Sequence, residues 1–118
     1  MRMRPTLMLG PCALLLAVPA GAAGPEVDVI ARVTTLQPDV KNGVAKITVP
    51  RTDLAVTVDG VKMQPFQGLT SWAAFQGSGP TTVVMGDLTL AEDEVNPVMS
   101  AALDNGLEVT ALHNHFAF

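Results

Sequence analysis

The sequence has few of the residues that usually mark a reactive or nucleic-acid-binding protein. Its 118 residues include one cysteine, one tryptophan, four phenylalanines and no tyrosine. Seven basic residues stand against eleven acidic ones, which gives a net charge of −4. Nucleic acids and anionic membranes attract proteins through basic patches, so this balance argues against both as partners. The two histidines are therefore the most informative polar residues.

The first 23 residues have the organisation of a secretory signal peptide. Arg2 and Arg4 supply the positive charge, an apolar run covers residues 7–18, and small residues fill positions 20–23. The apolar run is shorter than a membrane-spanning helix, which needs about 20 residues. A buried N-terminal helix is the alternative, but Pro11 would interrupt it. We therefore predict an exported protein, periplasmic or secreted, without a stable membrane span after cleavage.

Cys12 lies inside this predicted signal peptide. A lipoprotein signal ends in a cysteine that becomes lipidated, but Cys12 follows Pro11 and precedes most of the apolar run, so we do not expect lipidation. Removal of the signal peptide leaves no cysteine for a disulfide or a thiolate metal site. The loss of Arg2 and Arg4 also changes the net charge to about −6.

Residues 24–118 suffice for one modest core, and their pattern predicts a single α+β domain. The expected fold is a small mixed β-sheet with a β-hairpin and a C-terminal β-α-β unit, with helices packed on the sheet. Residues 27–36 fit a strand or a short helix, and we favour the helix. Asp59-Gly60 supplies the hairpin turn. The predicted strands are 44–49, 55–58, 61–63, 71–75, 81–85 and 107–112.

The predicted β-α-β unit has the clearest pattern. Thr89 and Glu92 have the spacing of a capping box. Apolar residues then recur at helical spacing, namely Val95, Val98, Met99, Ala102 and Leu103. Pro97 either kinks this helix or begins its regular part. We expect the helix to connect a central strand at 83–88 to a parallel strand at 107–112.

Both histidines lie at the end of the last predicted strand. His113 and His115 are two residues apart, so in a strand their side chains project to the same face. Two imidazoles on one side can bind one divalent metal ion, with a third ligand from Asp87, Glu94 or Asp53. Two polar residues at a strand end, with no bound metal, are the alternative interpretation.

Three further residues are candidates for a site. Arg51 and Asp53 can pair with each other in a solvated turn or bind a ligand. Trp72 fits the core, and a platform for carbohydrate is its alternative role. The acidic run 92–94 lies at a helix N-terminus, where the helix dipole favours negative charge without any functional role.

Residues 27–118 resemble the LppY/LpqO family of exported bacterial proteins. The motifs that carry the resemblance occur in order: Val49-Pro50-Arg51-Thr52-Asp53-Leu54, Val56-Thr57-Val58-Asp59-Gly60-Val61, Ser71-Trp72-Ala73-Ala74-Phe75, Met85-Gly86-Asp87-Leu88, Glu92-Asp93-Glu94-Val95-Asn96-Pro97-Val98 and Glu108-Val109-Thr110-Ala111-Leu112-His113-Asn114-His115. The resemblance implies an exported α+β domain and no assigned reaction. Members continue past this last motif with a strand that holds a further histidine, and then a helix. The sequence ends at Phe118, so by this resemblance we expect the domain to lack that strand and helix.

Two functions remain open at this point. The first is an exported domain that holds a divalent metal through His113 and His115. The second is a non-catalytic module of the cell envelope that binds a small molecule, a glycan or a protein, with the histidines as hydrogen-bonding groups. The sequence assigns neither a reaction nor a metal.

Overall fold

The computed structural model describes residues 24–116, which form a small α+β fold and confirm the predicted class. The predicted signal peptide and Cys12 lie outside the described residues. The helices are α1 (Val27–Thr34) and α2 (Val95–Asp104). The strands are β1 (Asp39–Lys41), β2 (Val44–Pro50), β3 (Thr57–Val58), β4 (Val61–Lys62), β5 (Thr70–Gln76) and β6 (Val83–Asp87). Single 3-10 turns cover Pro65–Gln67, Gly79–Thr81 and Glu92–Glu94.

Four strands form one sheet in the order β1-β2-β5-β6, and every pairing is antiparallel. The central pair is β2 and β5, with Val44 opposite Gln76 and Pro50 opposite Thr70. Strands β3 and β4 form a separate hairpin. Its turn has positive φ at Asp59 (50°) and Gly60 (78°), as predicted. This conformation matches the twist of the flanking strands, which fixes the register of the hairpin.

The core lies between α1 and one face of the sheet. Ile30 of α1 packs against Ala45 and Ile47 of β2, and all three side chains are buried. Phe75 of β5 lies at the edge of this cluster. The favoured helical interpretation of residues 27–36 is therefore confirmed: Val27–Thr34 is an α-helix, and Val27 and Ile30, three residues apart, both pack on the core.

The structure corrects the predicted position of β6. The sequence predicts a central strand of a mixed sheet here, but β6 is an edge strand of an antiparallel sheet. Val83 and Met85 are accordingly 61% and 68% exposed. A β-rich composition predicts that a strand forms, and the pairing of other segments decides where it lies. Gly86 is at a close backbone approach, since an added Cβ would lie 2.8 Å from the Trp72 carbonyl oxygen.

The predicted β-α-β unit is present only as far as its helix. Residues 107–112 have no regular secondary structure in the described part of the chain, although Leu107, Val109 and Ala111 alternate with polar residues. Alternation creates an apolar face, but a strand also needs a ladder partner for its backbone groups. The predicted strand at 107–112 and its parallel pairing with β6 are therefore not formed in the described residues.

Helix α2 matches its predicted apolar face with one exception. Val95, Val98, Met99 and Ala102 are partly buried, whereas Leu103 is 56% exposed. The expected capping box at Thr89 and Glu92 is also wrong, because Glu94 caps the turn instead: its carboxylate accepts the Ala91 N–H at 2.7 Å. Among the described residues, no helix is both long and apolar enough to cross a membrane.

Candidate functional site

Arg51 is the centre of the main polar cluster in the described residues, here called the Arg51 cluster: Arg51, Asp53, Thr89 and Glu94. Arg51 follows β2 directly, and its backbone N–H donates to the Leu69 carbonyl at 2.9 Å. Its side chain is only 12% exposed. The guanidinium extends from the end of β2 and contacts Asp53 in the same segment and Thr89 and Glu94 in the segment between β6 and α2.

Two carboxylates bind the guanidinium in the side-by-side geometry that favours arginine. Nε donates to Asp53 Oδ1 at 3.0 Å, and Nη2 donates to Asp53 Oδ2 at 2.7 Å. On the other side, Nη1 and Nη2 donate to Glu94 Oε2 and Oε1, both at 2.9 Å. Nη1 also donates to the Thr89 carbonyl at 2.6 Å. These bonds use all five N–H groups that a guanidinium offers.

A fully bonded guanidinium has no donor left for a ligand. From the sequence, Arg51 and Asp53 fit either a solvated turn or a ligand site. The structure places both in a network of hydrogen bonds within the protein. The cluster joins the segment after β2 to the segment between β6 and α2. Its arrangement therefore supports a structural role better than a binding role.

Ser71 adds a hydrogen bond that holds the segment between β6 and α2 to strand β5. This buried residue of β5 accepts the Thr89 N–H on its Oγ at 2.9 Å. The Thr89 carbonyl thus accepts a hydrogen bond from Arg51, and the Thr89 N–H donates one to Ser71. The sequence does not predict this bond, because no local pattern identifies a hydroxyl whose partner is 18 residues away.

The charges of the cluster shift the acidity of its members. Hydrogen bonds from Arg51 hold the pKa of Asp53 and of Glu94 below their usual values, and the Ala91 N–H lowers the pKa of Glu94 further. The two carboxylates, Asp53 first, raise the pKa of Arg51. All three groups are therefore charged at neutral pH.

This network bears on two of the proposed third ligands for a metal. The carboxylate oxygens of Asp53 and Glu94 already accept hydrogen bonds from Arg51. A metal at either group would compete with these bonds and with the adjacent positive charge. Asp87 has no such partner in the cluster. It ends β6 and lies opposite Trp72 of β5.

His113 and His115 lie beside each other after α2. Their rings are stacked, with centroids 5.7 Å apart and planes inclined by 12°. Both residues are exposed. Within residues 24–116, no group of three or more histidine, cysteine, aspartate or glutamate side chains is arranged to hold a metal ion. The structure therefore brings the two histidines together and leaves the third ligand unassigned.

Trp72 lies on the face of the sheet opposite α1. It alternates with Ala73, which packs against the core, and is only partly buried. The Lys46 ammonium lies 4.4 Å from the centroid of the Trp72 ring. This cation–π contact covers part of the ring that a sugar would use for stacking. The contact therefore weakens the carbohydrate interpretation, and the core interpretation holds only in part.

A comparison with family models matches residues 28–118 to the family described as Domain of Unknown Function (DUF1259). The matched range includes the Arg51 cluster, Trp72, Asp87 and both histidines. Comparisons with curated proteins and with solved structures gave no match.

Proposed function

The chain belongs to the family described as Domain of Unknown Function (DUF1259), and we propose that it is an exported cell-envelope domain that binds a divalent metal ion through His113 and His115. Export is proposed from the charge, apolar and small-residue order of residues 1–23. Kinship with the LppY/LpqO exported proteins is part of the same proposal and rests on the motifs quoted above.

The observation that carries the metal proposal is the proximity of two exposed imidazole rings. The ring centroids of His113 and His115 are 5.7 Å apart. The nitrogen lone pairs of the stacked rings are parallel, so binding of one ion by both requires the side chains to rotate, and their exposed positions leave room for this. Neutral imidazole is the most common nitrogen ligand for zinc, copper and nickel.

A second candidate is a non-catalytic module that binds a small molecule, a glycan or a protein. The open face of the sheet favours it, because Trp72 is accompanied there by Lys46, Met85 and Asp87, all exposed. In this case the histidines act as hydrogen-bonding groups. The contact between Lys46 and Trp72 counts against sugar stacking, so we place this candidate second.

Isothermal titration with zinc chloride tests the first proposal. We expect His113→Ala and His115→Ala each to abolish binding, since a single imidazole is a weak site. Asn114→Ala is the matched control, because it changes the residue between the ligands and should leave binding intact.

The opposite results are equally informative. If zinc, copper, nickel and manganese all fail to bind, the metal proposal is wrong and the binding module takes its place. If both alanine variants bind as well as the unchanged protein, the metal is held elsewhere.

A further inference from the structure

Strand β6 has an open, apolar edge in the described part of the chain. It pairs with β5 on one side only, and the sheet order ends with it. Val83 and Met85 on this strand are largely exposed, and no lysine or proline protects the strand. Proteins usually protect such an edge, because its free N–H and C=O groups accept another strand. The edge of β6 is therefore suited to a fifth strand.

The segment after α2 has the complementary properties. Residues 107–112 alternate between apolar and polar side chains, and Leu107, Val109 and Leu112 are exposed. Two exposed apolar strips in one small domain are costly, because each keeps hydrocarbon surface in water. Pairing the segment with β6 would cover part of both strips and satisfy the backbone groups of each.

The connection between the two segments has the length that this pairing needs. Strand β6 has five residues and spans about 17 Å. Helix α2 has ten residues and rises about 15 Å, which is long enough for a helix packed on the sheet to bring the chain back to the start of β6. A following strand would then run parallel to β6, through the usual right-handed crossover.

Parallel pairing would bring a third ligand to the histidines. Neighbouring parallel strands end at the same edge of a sheet, so His113 and His115 would follow the end of the added strand next to Asp87 at the end of β6. Asp87 is the one of the three suggested acidic ligands that the Arg51 cluster does not use. Its exposed carboxylate is available to a metal.

From these features we infer that metal binding is coupled to docking of residues 107–112 along β6, with Asp87 as the third ligand beside His113 and His115. The inference rests on the proposed function. The structure described here is the undocked form, in which the two histidines are together and Asp87 is the last residue of an open strand. The metal links the two segments and stabilises the docked form by mass action.

Amide hydrogen exchange with and without zinc chloride measures docking directly. Zinc should slow exchange of residues 107–112 and of β6, and His113→Ala should remove this protection. Asp87→Asn should weaken zinc binding at least about tenfold, which is the smallest loss usual even for groups that only support a metal ligand. Asp39→Asn on the opposite edge strand is the matched control and should leave zinc affinity unchanged.

A cysteine pair tests the geometry independently. In a Cys12→Ser background, Met85→Cys with Val109→Cys should form an intramolecular disulfide when zinc is present, because neighbouring strands are about 4.8 Å apart. Thr48→Cys with Val109→Cys is the control and should form none, since β5 and β6 separate its two positions.

The outcomes separate the inference from the proposed function. Zinc binding that requires both histidines but neither protects residues 107–112 nor permits the disulfide overturns docking and leaves the metal proposal standing. A disulfide between two chains overturns docking within one chain. A disulfide that forms equally well without zinc overturns the coupling. If zinc does not bind at all, the coupling and the proposed function both fail.

Discussion

Glu94 binds the Arg51 guanidinium through both carboxylate oxygens, each at 2.9 Å, although the two residues are 43 positions apart in the sequence. The same carboxylate also accepts the Ala91 N–H and so forms the cap of the turn that precedes α2. One side chain therefore attaches the start of a helix to the end of the central strand. This double role sets the expectations for substitutions in the cluster.

Arg51→Ala should destabilise the domain by about 1–2 kcal/mol, since hydrogen bonds to charged groups contribute about that much and water screens the exposed carboxylates. We expect Tm in thermal unfolding to fall by about 5–10 °C. Arg51→Lys should recover only part of the loss, because an ammonium cannot bind two carboxylates side by side. Arg32→Ala, at an exposed position of α1, is the control. Equal Tm values for the two alanine variants would contradict a structural role for the cluster.

Glu94→Gln should lower Tm more than Asp53→Asn. Both changes weaken a bond to Arg51, but Glu94 also holds the Ala91 N–H, and Asp53 is only two residues from Arg51. Loss of Glu94 therefore frees a distant segment, whereas loss of Asp53 affects a local turn. Glu92→Gln, an exposed residue in the same 3-10 turn, should leave Tm unchanged. The reverse order of Glu94 and Asp53 would show that the local pair is the more important one.

Acid should weaken the cluster in a defined direction. The pKa values of Asp53 and Glu94 are lowered in the folded protein, so their contribution to stability is complete above the unfolded values of about 3.9 and 4.3. It is lost as pH falls through the lower folded values. Thermal unfolding from about pH 7 to about pH 3 should therefore show a steeper acid loss for the unchanged protein than for Arg51→Ala. Parallel pH profiles would mean that other carboxylates dominate.

Gly86→Ala should destabilise the sheet by about 1–3 kcal/mol, the usual cost of forcing extra atoms into a packed site. The added Cβ would lie 2.8 Å from the Trp72 carbonyl oxygen, so β5 and β6 would have to separate locally. Denaturant unfolding measures the loss. Gly24→Ala has no atom within 4 Å of the new Cβ and is the control. A neutral Gly86→Ala would show that the edge strand moves aside without cost.

The local features of the fold follow from the sequence because neighbouring residues determine them. The Asp59-Gly60 turn, strand β2 and the helical face of α2 each depend on residue preferences within a few positions. Strand β1 was missed, since its three residues are too few to form a pattern. The closing strand was expected on alternation alone, and it lacks a ladder partner in the described residues.

The candidate site was predictable only in part for the same reason. The sequence predicts His113 and His115 on one face of a strand, whereas the structure has their rings stacked in a segment without regular secondary structure. No local pattern links Arg51 to Glu94, because the pairing depends on how β2 and the segment before α2 meet in three dimensions. From the sequence alone, the negative charge of Glu94 at a helix N-terminus is explained by the helix dipole, and this local explanation needs no distant partner.

The long separation between Arg51 and Glu94 also has a kinetic consequence. Contacts that close a large loop become favourable only after the intervening chain is ordered, here the hairpin and strands β5 and β6. The hydrogen bonds of the guanidinium should therefore form after the transition state during folding. During unfolding they should break before that transition state is reached. Interactions of this kind change the unfolding rate and leave the folding rate nearly constant. The Arg51 cluster should thus set how long the native state lasts once it has formed.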